Sequence, residues 1–173
     1  TEQEALDFAG PQAVVERWPA STIVPGLIDA HGHLASLGAS LSHVNLEGTH
    51  SEAEVVARVA KAGPDAFEGE WLIARGWDQN DWPDTHWPTH ASLDALPLRA
   101  PMFLSRIDGH AAWLNAEALK RAGITKNTPD PLGGHIERTS TGEPTGVLID
   151  NAIDLVKLPA PDVKTAQRHL KKA

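Results

Sequence analysis

A chain of 173 residues is long enough for one domain that buries a hydrophobic core without metal or disulfide staples. Hydrophobic residues at 41% and charged residues at 22% are near the averages of folded globular proteins, which excludes a disordered tail or a fibrous rod. The formal charge of -8 argues against nucleic acid and anionic membrane surfaces as partners. The absence of cysteine excludes disulfides and cysteine nucleophiles, and no run approaches the ~20 apolar residues of a membrane span.

The first elements of the chain are predicted from two apolar segments. The segment up to Pro19 has a turn at Gly10 and predicts short strands at the edge of a domain. Residues 22–30 form a β-branched run without polar alternation, which is typical of a strand buried on both faces in the parallel sheet of an α/β fold. Gly32 and the small residues that follow it would let the chain turn away from the end of this strand.

Strand and helix patterns alternate through the rest of the chain. Glu54 follows Ser51 by three residues, which is the spacing of a capping box. The patterns predict helices over residues 52–62 and 162–172, strands over 71–77 and 101–107, a short helix between Asn115 and Gly123, and a hairpin over 133–149.

His31 and His33 form an H-x-H motif directly after the predicted buried strand. Side chains at positions i and i+2 of a strand lie on the same side, so both imidazoles could reach one metal ion. Asp29 lies two residues upstream on the same face and could orient one of the rings. The alternative is two packed or exposed histidines at the end of a strand.

Four motifs together resemble one family. V-P-G-L-I-D-A-H-G-H-L, residues 24–34, resembles the first-strand signature of the amidohydrolase superfamily. G-W-D-Q-N-D-W, D-G-H-A-A-W-L-N and G-E-P-T-G-V-L-I-D-N-A, which begin at Gly76, Asp108 and Gly142, are similar to amidohydrolase family 3. That family includes N-substituted formamide deformylases. The resemblance runs from about Leu6 to the last residue, and the motifs follow in the family's order.

The resemblance implies a metal-bearing (β/α)8 barrel with a small β-sandwich beside it. Residues 1–21 would then belong to the sandwich, 22–35 to the first barrel strand and its metal-ligand turn, 36–151 to a large insertion, and 152–173 to a helix leading to the next barrel strand. The family's other metal ligands are a bridging lysine, two histidines and an aspartate, and they follow the region covered by this sequence. We therefore expect the chain to be an N-terminal portion of a longer protein.

The resemblance also implies the reaction, which is hydrolysis of a carbon–nitrogen bond in a small amide or formamide. One or two divalent ions, expected to be zinc, would activate the attacking water, with His31 and His33 as neutral ligands. No catalytic base is expected within these 173 residues. The parent would be a cytoplasmic enzyme, and this chain alone would be inactive and would associate with itself or with the remainder of its parent.

His110 is the best candidate for substrate contact, because the matching histidine of the family faces the barrel mouth. A neutral imidazole there could donate a hydrogen bond to the substrate's carbonyl oxygen as negative charge develops. The alternative is a structural hydrogen bond between His110 and the backbone.

Trp77 and Asp78 belong to a tryptophan-rich segment, in which four of the six tryptophans lie between residues 71 and 87. With Asp81 they could line a substrate pocket, since indoles form apolar walls and carboxylates fix polar groups. The alternative is that the rings pack a core and the aspartates cap turns.

A competing hypothesis for the whole chain is a non-catalytic fragment or assembly module, because two ligands are fewer than the three that a catalytic zinc site normally takes from the protein. A carbohydrate-binding role for the tryptophans would leave the H-x-H motif without a purpose.

Overall fold

A computed structural model describes residues 1–16, 18–22, 24–27 and 34–173. The chain divides into two compact units, Thr1–Gly32 and His33–Ala173. Among the described residues, no helix has both the length and the apolar character that a membrane crossing requires.

The first unit begins with a helix and not with the predicted short strands. Helix α1 spans Glu2–Ala9, and the side chain of Thr1 accepts a hydrogen bond from the backbone N–H of Glu4 while the Glu4 carboxylate bonds back to the N-terminus. This capping box and two acidic residues in the first turn satisfy the free N–H groups of the helix, which the strand prediction did not consider. Residues 22 and 24–27 lie in neither helix nor strand, and the rest of the predicted barrel strand, Ile23 and 28–30, lies outside the described residues.

The described residues of the second unit form one mixed seven-stranded sheet in the order β1-β3-β4-β5-β7-β6, with β2 paired to β3. β1 and β4 run parallel to β3, and the remaining pairs are antiparallel. The fold is therefore mixed α/β, as the sequence predicted. The strands are β1 (Val44–Asn45), β2 (Phe67–Glu68), β3 (Trp71–Trp77), β4 (Met102–Arg106), β5 (Ala111–Leu114), β6 (Gly134–Arg138) and β7 (Pro144–Asp150).

Helices pack on both faces of this sheet. α3 and α4 contribute to the core on one face, and α5 with the 3₁₀-helix Asn151–Leu155 contributes to the core on the other. α2 packs against α6, where Gly38 lies so close to the backbone carbonyl of His169 that a Cβ atom would have no room. The helices of this unit are α2 (Leu34–Ser40), α3 (Glu52–Val59), α4 (His90–Asp94), α5 (Ala116–Arg121) and α6 (Val163–Lys172).

The predicted capping signals are found in the structure. Ser51 accepts a hydrogen bond from the N–H of Glu54, and the Glu54 carboxylate accepts one from the N–H of His50. α3 ends at Val59, three residues earlier than predicted. Asn115 caps α5, and Gly123 follows its end with a positive φ of 68°.

Both faces of the central strands are buried, which explains their uninterrupted apolar sequences. In β3, Leu72 and Ala74 belong to one core and Trp71 and Ile73 to the other. β4 and β5 alternate in the same way. All seven strands lie between residues 44 and 150, inside the segment that the family resemblance assigns to the insertion.

A β-bulge at Gly76 interrupts this alternation just before β3 ends. Arg75 is paired with Ser105, whereas Trp77 is paired with the next residue of β4, Arg106. Strict alternation would put Trp77 on the face of Trp71, but the bulge moves its ring into the opposite core. Gly76 has a φ of 96°, and a Cβ atom there would lie 2.5 Å from Cγ of Glu47.

We predict that Gly76→Ala lowers the free energy of unfolding by about 1–3 kcal/mol, because the new methyl group meets both an unfavourable φ and the neighbouring chain. Urea denaturation followed by tryptophan fluorescence measures the change. Gly63→Ala is the matched control, because Gly63 has a φ of -84° and no atom within 4 Å of the added Cβ. Equal stability of the two variants would contradict the role assigned to the bulge.

Candidate functional site

The predicted metal ligands His31 and His33, with Asp29, lie outside the described residues. Within the described ranges, no group of three or more histidine, aspartate or glutamate side chains is placed to hold a metal ion. The assignment of His31 and His33 as metal ligands therefore stays a prediction.

Polar side chains gather at one end of the sheet. β3 and β4 end there, and antiparallel pairing makes β5 begin and β7 end at the same level. We call this group the polar edge, and it consists of Asp78, Arg106, Asp108, His110 and Asp150.

Arg106 and Asp108 form the charged pair of the polar edge. Nε of Arg106 donates to Oδ1 of Asp108 at 3.0 Å, and Nη2 donates to the other carboxylate oxygen. The hydrogen bond from Arg106 is the main cause that lowers the pKa of Asp108 to about 2, with help from the backbone N–H of His110. The same pair raises the pKa of Arg106, whose guanidinium also lies 5.4 Å from the ring centroid of Trp87.

His110 projects from the turn between β4 and β5, and its side chain is 72% exposed. Its backbone N–H donates to Oδ1 of Asp108 at 2.9 Å, and its Nδ1 lies 2.9 Å from Oδ1 of Asp150. The backbone N–H of Asp150 donates to the carbonyl oxygen of His110 at 3.0 Å. The residue is thus held at its N–H, its carbonyl and its ring.

Asp150 has a backbone conformation that L side chains rarely adopt, with φ of 50° and ψ of -127°. Such a conformation costs about 1–3 kcal/mol for a residue other than glycine. The contact with His110 contributes less, because side chains that are 50% and 72% exposed form pairs of at most about 0–1 kcal/mol. The pair therefore does not offset the strain, which makes a contribution to function the better explanation for an aspartate at this position.

Trp77 is fully buried below the polar edge, and its indole N–H donates to the carbonyl of Leu104 at 2.8 Å. Its ring contacts those of Trp82, Trp87 and Trp113 with centroid distances of 6.0–6.2 Å. The structure gives the tryptophan cluster a core position, which is the arrangement that the alternative hypothesis described.

Asp78 is half-buried and directly follows Trp77. Its Oδ1 accepts a hydrogen bond from the N–H of Asn80 at 3.0 Å and caps the 3₁₀-helix Gln79–Asp81. Asp78 also lies near enough to Arg106 to act on its charge. It is therefore a turn cap that at the same time belongs to the polar edge.

Sequence reasoning missed Arg106 and Asp150 as members of this site. For Arg106, a signal was present in the chain, because an arginine at a predicted strand end precedes an aspartate by two residues. For Asp150, the signal was its place in the motif that begins at Gly142. That motif does not reveal its partner, because Asp150 is 40 residues from His110 and reaches it through the pairing of β5 with β7.

Comparison with known proteins assigns the family. A family model described as the amidohydrolase family matches residues 21–173, so this chain belongs to that family, as the motifs predicted. The chain is 38% identical over 161 residues to the protein LONG AFTER FAR-RED 3 of Arabidopsis thaliana, covering 93% of this chain and 27% of that protein. It is 34% identical over 161 residues to an N-substituted formamide deformylase of Arthrobacter pascens, covering 90% of this chain and 29% of the enzyme.

A solved structure of a metal-dependent hydrolase is similar to this chain. The crystal structure of an uncharacterized metal-dependent hydrolase from Pyrococcus furiosus superimposes with a TM-score of 0.60 and 27% sequence identity, covering 85% of this chain and 28% of that one. The chain thus spans less than a third of the length of each of these proteins.

We predict that Asp108→Asn lowers stability only where the carboxylate is ionised. A lowered pKa means that the group stabilises the fold above about pH 4 and that this contribution is lost as the pH falls toward 2. Because the side chain is 36% exposed, solvent screening limits the effect to about 1 kcal/mol. Urea denaturation at pH 7, 4 and 2.5 measures the free energy of unfolding. The variant should be less stable than the wild-type chain at pH 7, and the difference should disappear toward pH 2.5.

Asp154→Asn serves as the control, because it removes an exposed carboxylate outside the polar edge. This variant should match the wild-type chain at every pH. A deficit of the Asp108 variant that persists unchanged in acid would show that the pair with Arg106 is not its cause.

Proposed function

We propose that this chain is part of a metal-dependent hydrolase that cleaves carbon–nitrogen bonds of the amide or formamide type. The observation that carries the proposal is the family match over residues 21–173, which includes the H-x-H motif of His31 and His33. The 34% identity to an N-substituted formamide deformylase favours small amides as substrates. In a longer protein, residues 22–35 would form the first strand of a (β/α)8 barrel.

The donor chemistry of this chain fits part of a zinc site. Two neutral imidazoles are ligands that zinc prefers, and we assign them to His31 and His33. A catalytic zinc site takes three or more protein ligands, and we propose that the others come from outside these 173 residues. A bound divalent ion would acidify a coordinated water and polarise a carbonyl group.

Residues of the polar edge would bind and orient the substrate. The side chain of His110 is more exposed than those of Arg106, Asp108 and Asp150. Asp78 is half-buried near Arg106. The polar edge has three carboxylates and one guanidinium, so its net charge is negative. This charge favours substrates with neutral or cationic groups over anionic substrates. Trp77 would act indirectly, by fixing the end of β3 from which Asp78 projects.

We predict weak zinc binding by the 173-residue chain, in the micromolar range or above, because it supplies only two imidazoles. Isothermal titration with zinc should lose this binding in the His31→Ala, His33→Ala double variant. The control is the double variant His50→Ala, His86→Ala, which removes two exposed histidines and should bind as the wild-type chain does. Submicromolar, stoichiometric binding that survives loss of His31 and His33 would overturn the ligand assignment.

The coding sequence beyond Ala173 separates the enzyme from the competing assembly module. Lysine, two histidines and an aspartate at the ends of successive apolar strands would support the hydrolase. A stop codon would favour the module. Formamide hydrolysis by the purified 173-residue chain would contradict the proposal that part of the active site lies outside these residues.

A further inference from the structure

The imidazole of His110 presents its two nitrogens differently. Nδ1 lies 2.9 Å from a carboxylate oxygen of Asp150, whereas Nε2 has no hydrogen-bond partner in the part of the chain that the structure describes. The backbone N–H of His110 donates to the Asp108 carboxylate, and its carbonyl accepts from the backbone N–H of Asp150, so the base of the side chain is fixed. The ring is thus anchored on one side and open on the other.

The hydrogen bond between the two side chains has only one possible direction when Asp150 is ionised. A carboxylate accepts hydrogen bonds and has no proton to donate, so Nδ1 of His110 must carry the proton. A neutral ring then has a lone pair at Nε2. An unconstrained imidazole favours the opposite arrangement, with its proton on Nε2.

We infer that Asp150 is a positioning residue, which holds the proton of His110 at Nδ1 and so presents Nε2 as a hydrogen-bond and proton acceptor toward the substrate. The inference rests on the proposed substrate contact of His110 and deepens it. It names the group that His110 recognises, which is an N–H or O–H hydrogen of the substrate, such as the amide hydrogen of a secondary amide.

A proton held at Nδ1 gives His110 a different role from the one that the sequence predicted. A neutral His110 with its proton on Nδ1 cannot donate a hydrogen bond from Nε2 to a carbonyl oxygen. Donation from Nε2 would require a ring that carries protons on both nitrogens. His110 therefore acts as an acceptor in its neutral form and as a donor only after it has taken up a proton at Nε2.

A second histidine pair in the same molecule has both of its ring nitrogens near carboxylates. Nδ1 of His135 lies 2.7 Å from Asp130, but its Nε2 also lies 3.4 Å from Glu137. Both nitrogens of His135 are therefore engaged by carboxylates of the chain. Among the histidines that the structure describes, only His110 combines an open Nε2 with a carboxylate partner whose backbone is strained.

The test is the tautomer of each histidine, read from the two ring ¹⁵N chemical shifts of the 173-residue chain in mildly alkaline solution, where imidazoles are neutral. We expect wild-type His110 to carry its proton on Nδ1. In Asp150→Asn the side-chain amide can donate to Nδ1, so the proton should move to Nε2 in most molecules. His135 should remain unchanged, which makes it an internal control.

Asp150→Gly separates the carboxylate from the backbone strain. It should shift the His110 tautomer as Asp150→Asn does, and it should raise the thermal unfolding midpoint because glycine adopts the positive φ freely. Asp150→Ala should shift the tautomer without the gain in stability. Dispersed backbone amide spectra verify that each variant is folded.

The proposal is overturned if wild-type His110 carries its proton on Nε2, or if the tautomer is the same with and without the Asp150 carboxylate. A simultaneous change at His135 would also overturn it, because the effect would then belong to the fold and not to the pair. These measurements use neither zinc nor turnover, so their failure is distinct from a failure of the proposed hydrolase function.

Discussion

The parallel pairing of β3 with β4 is the constraint on which the polar edge depends. Parallel strands end at the same side of a sheet, and here that pairing brings Asp78 and Arg106 together although they are 28 positions apart. The tight return of the chain into β5 then adds Asp108 and His110 at the same level. Ligand sites of α/β proteins commonly lie outside the carboxyl ends of parallel strands, and this edge has that position.

The two cores give the polar edge a rigid base. Most residues of the central strands are buried, and the indole N–H of Trp77 also donates to the backbone of β4. The bulge at Gly76 matters for this reason, since it moves the Trp77 ring into the cluster with Trp87 and Trp113. Trp87 in turn lies under the guanidinium of Arg106, so the aromatic core and the charged edge are in direct contact.

His110 and Asp150 are exposed, Asp150 has a strained backbone and the polar edge carries a net negative charge, and these properties add little to stability. Asp150 has a costly backbone conformation, and its contact with His110 is open to solvent. An arrangement of this kind is expected where a protein positions groups for a ligand. Membership of the amidohydrolase family and the similarity to a metal-dependent hydrolase are consistent with that interpretation.

The sequence by itself determined the family, the extent of β3 and the caps of α3 and α5, because motifs, hydrophobic periodicity and capping residues act over a few neighbouring positions. It failed at α1, where a capping box outweighed an apolar pattern taken for strands. Only the tertiary structure decided the face on which Trp77 packs and the contact between His110 and Asp150. Both depend on strand register, and register is fixed by packing between segments that are far apart in the chain.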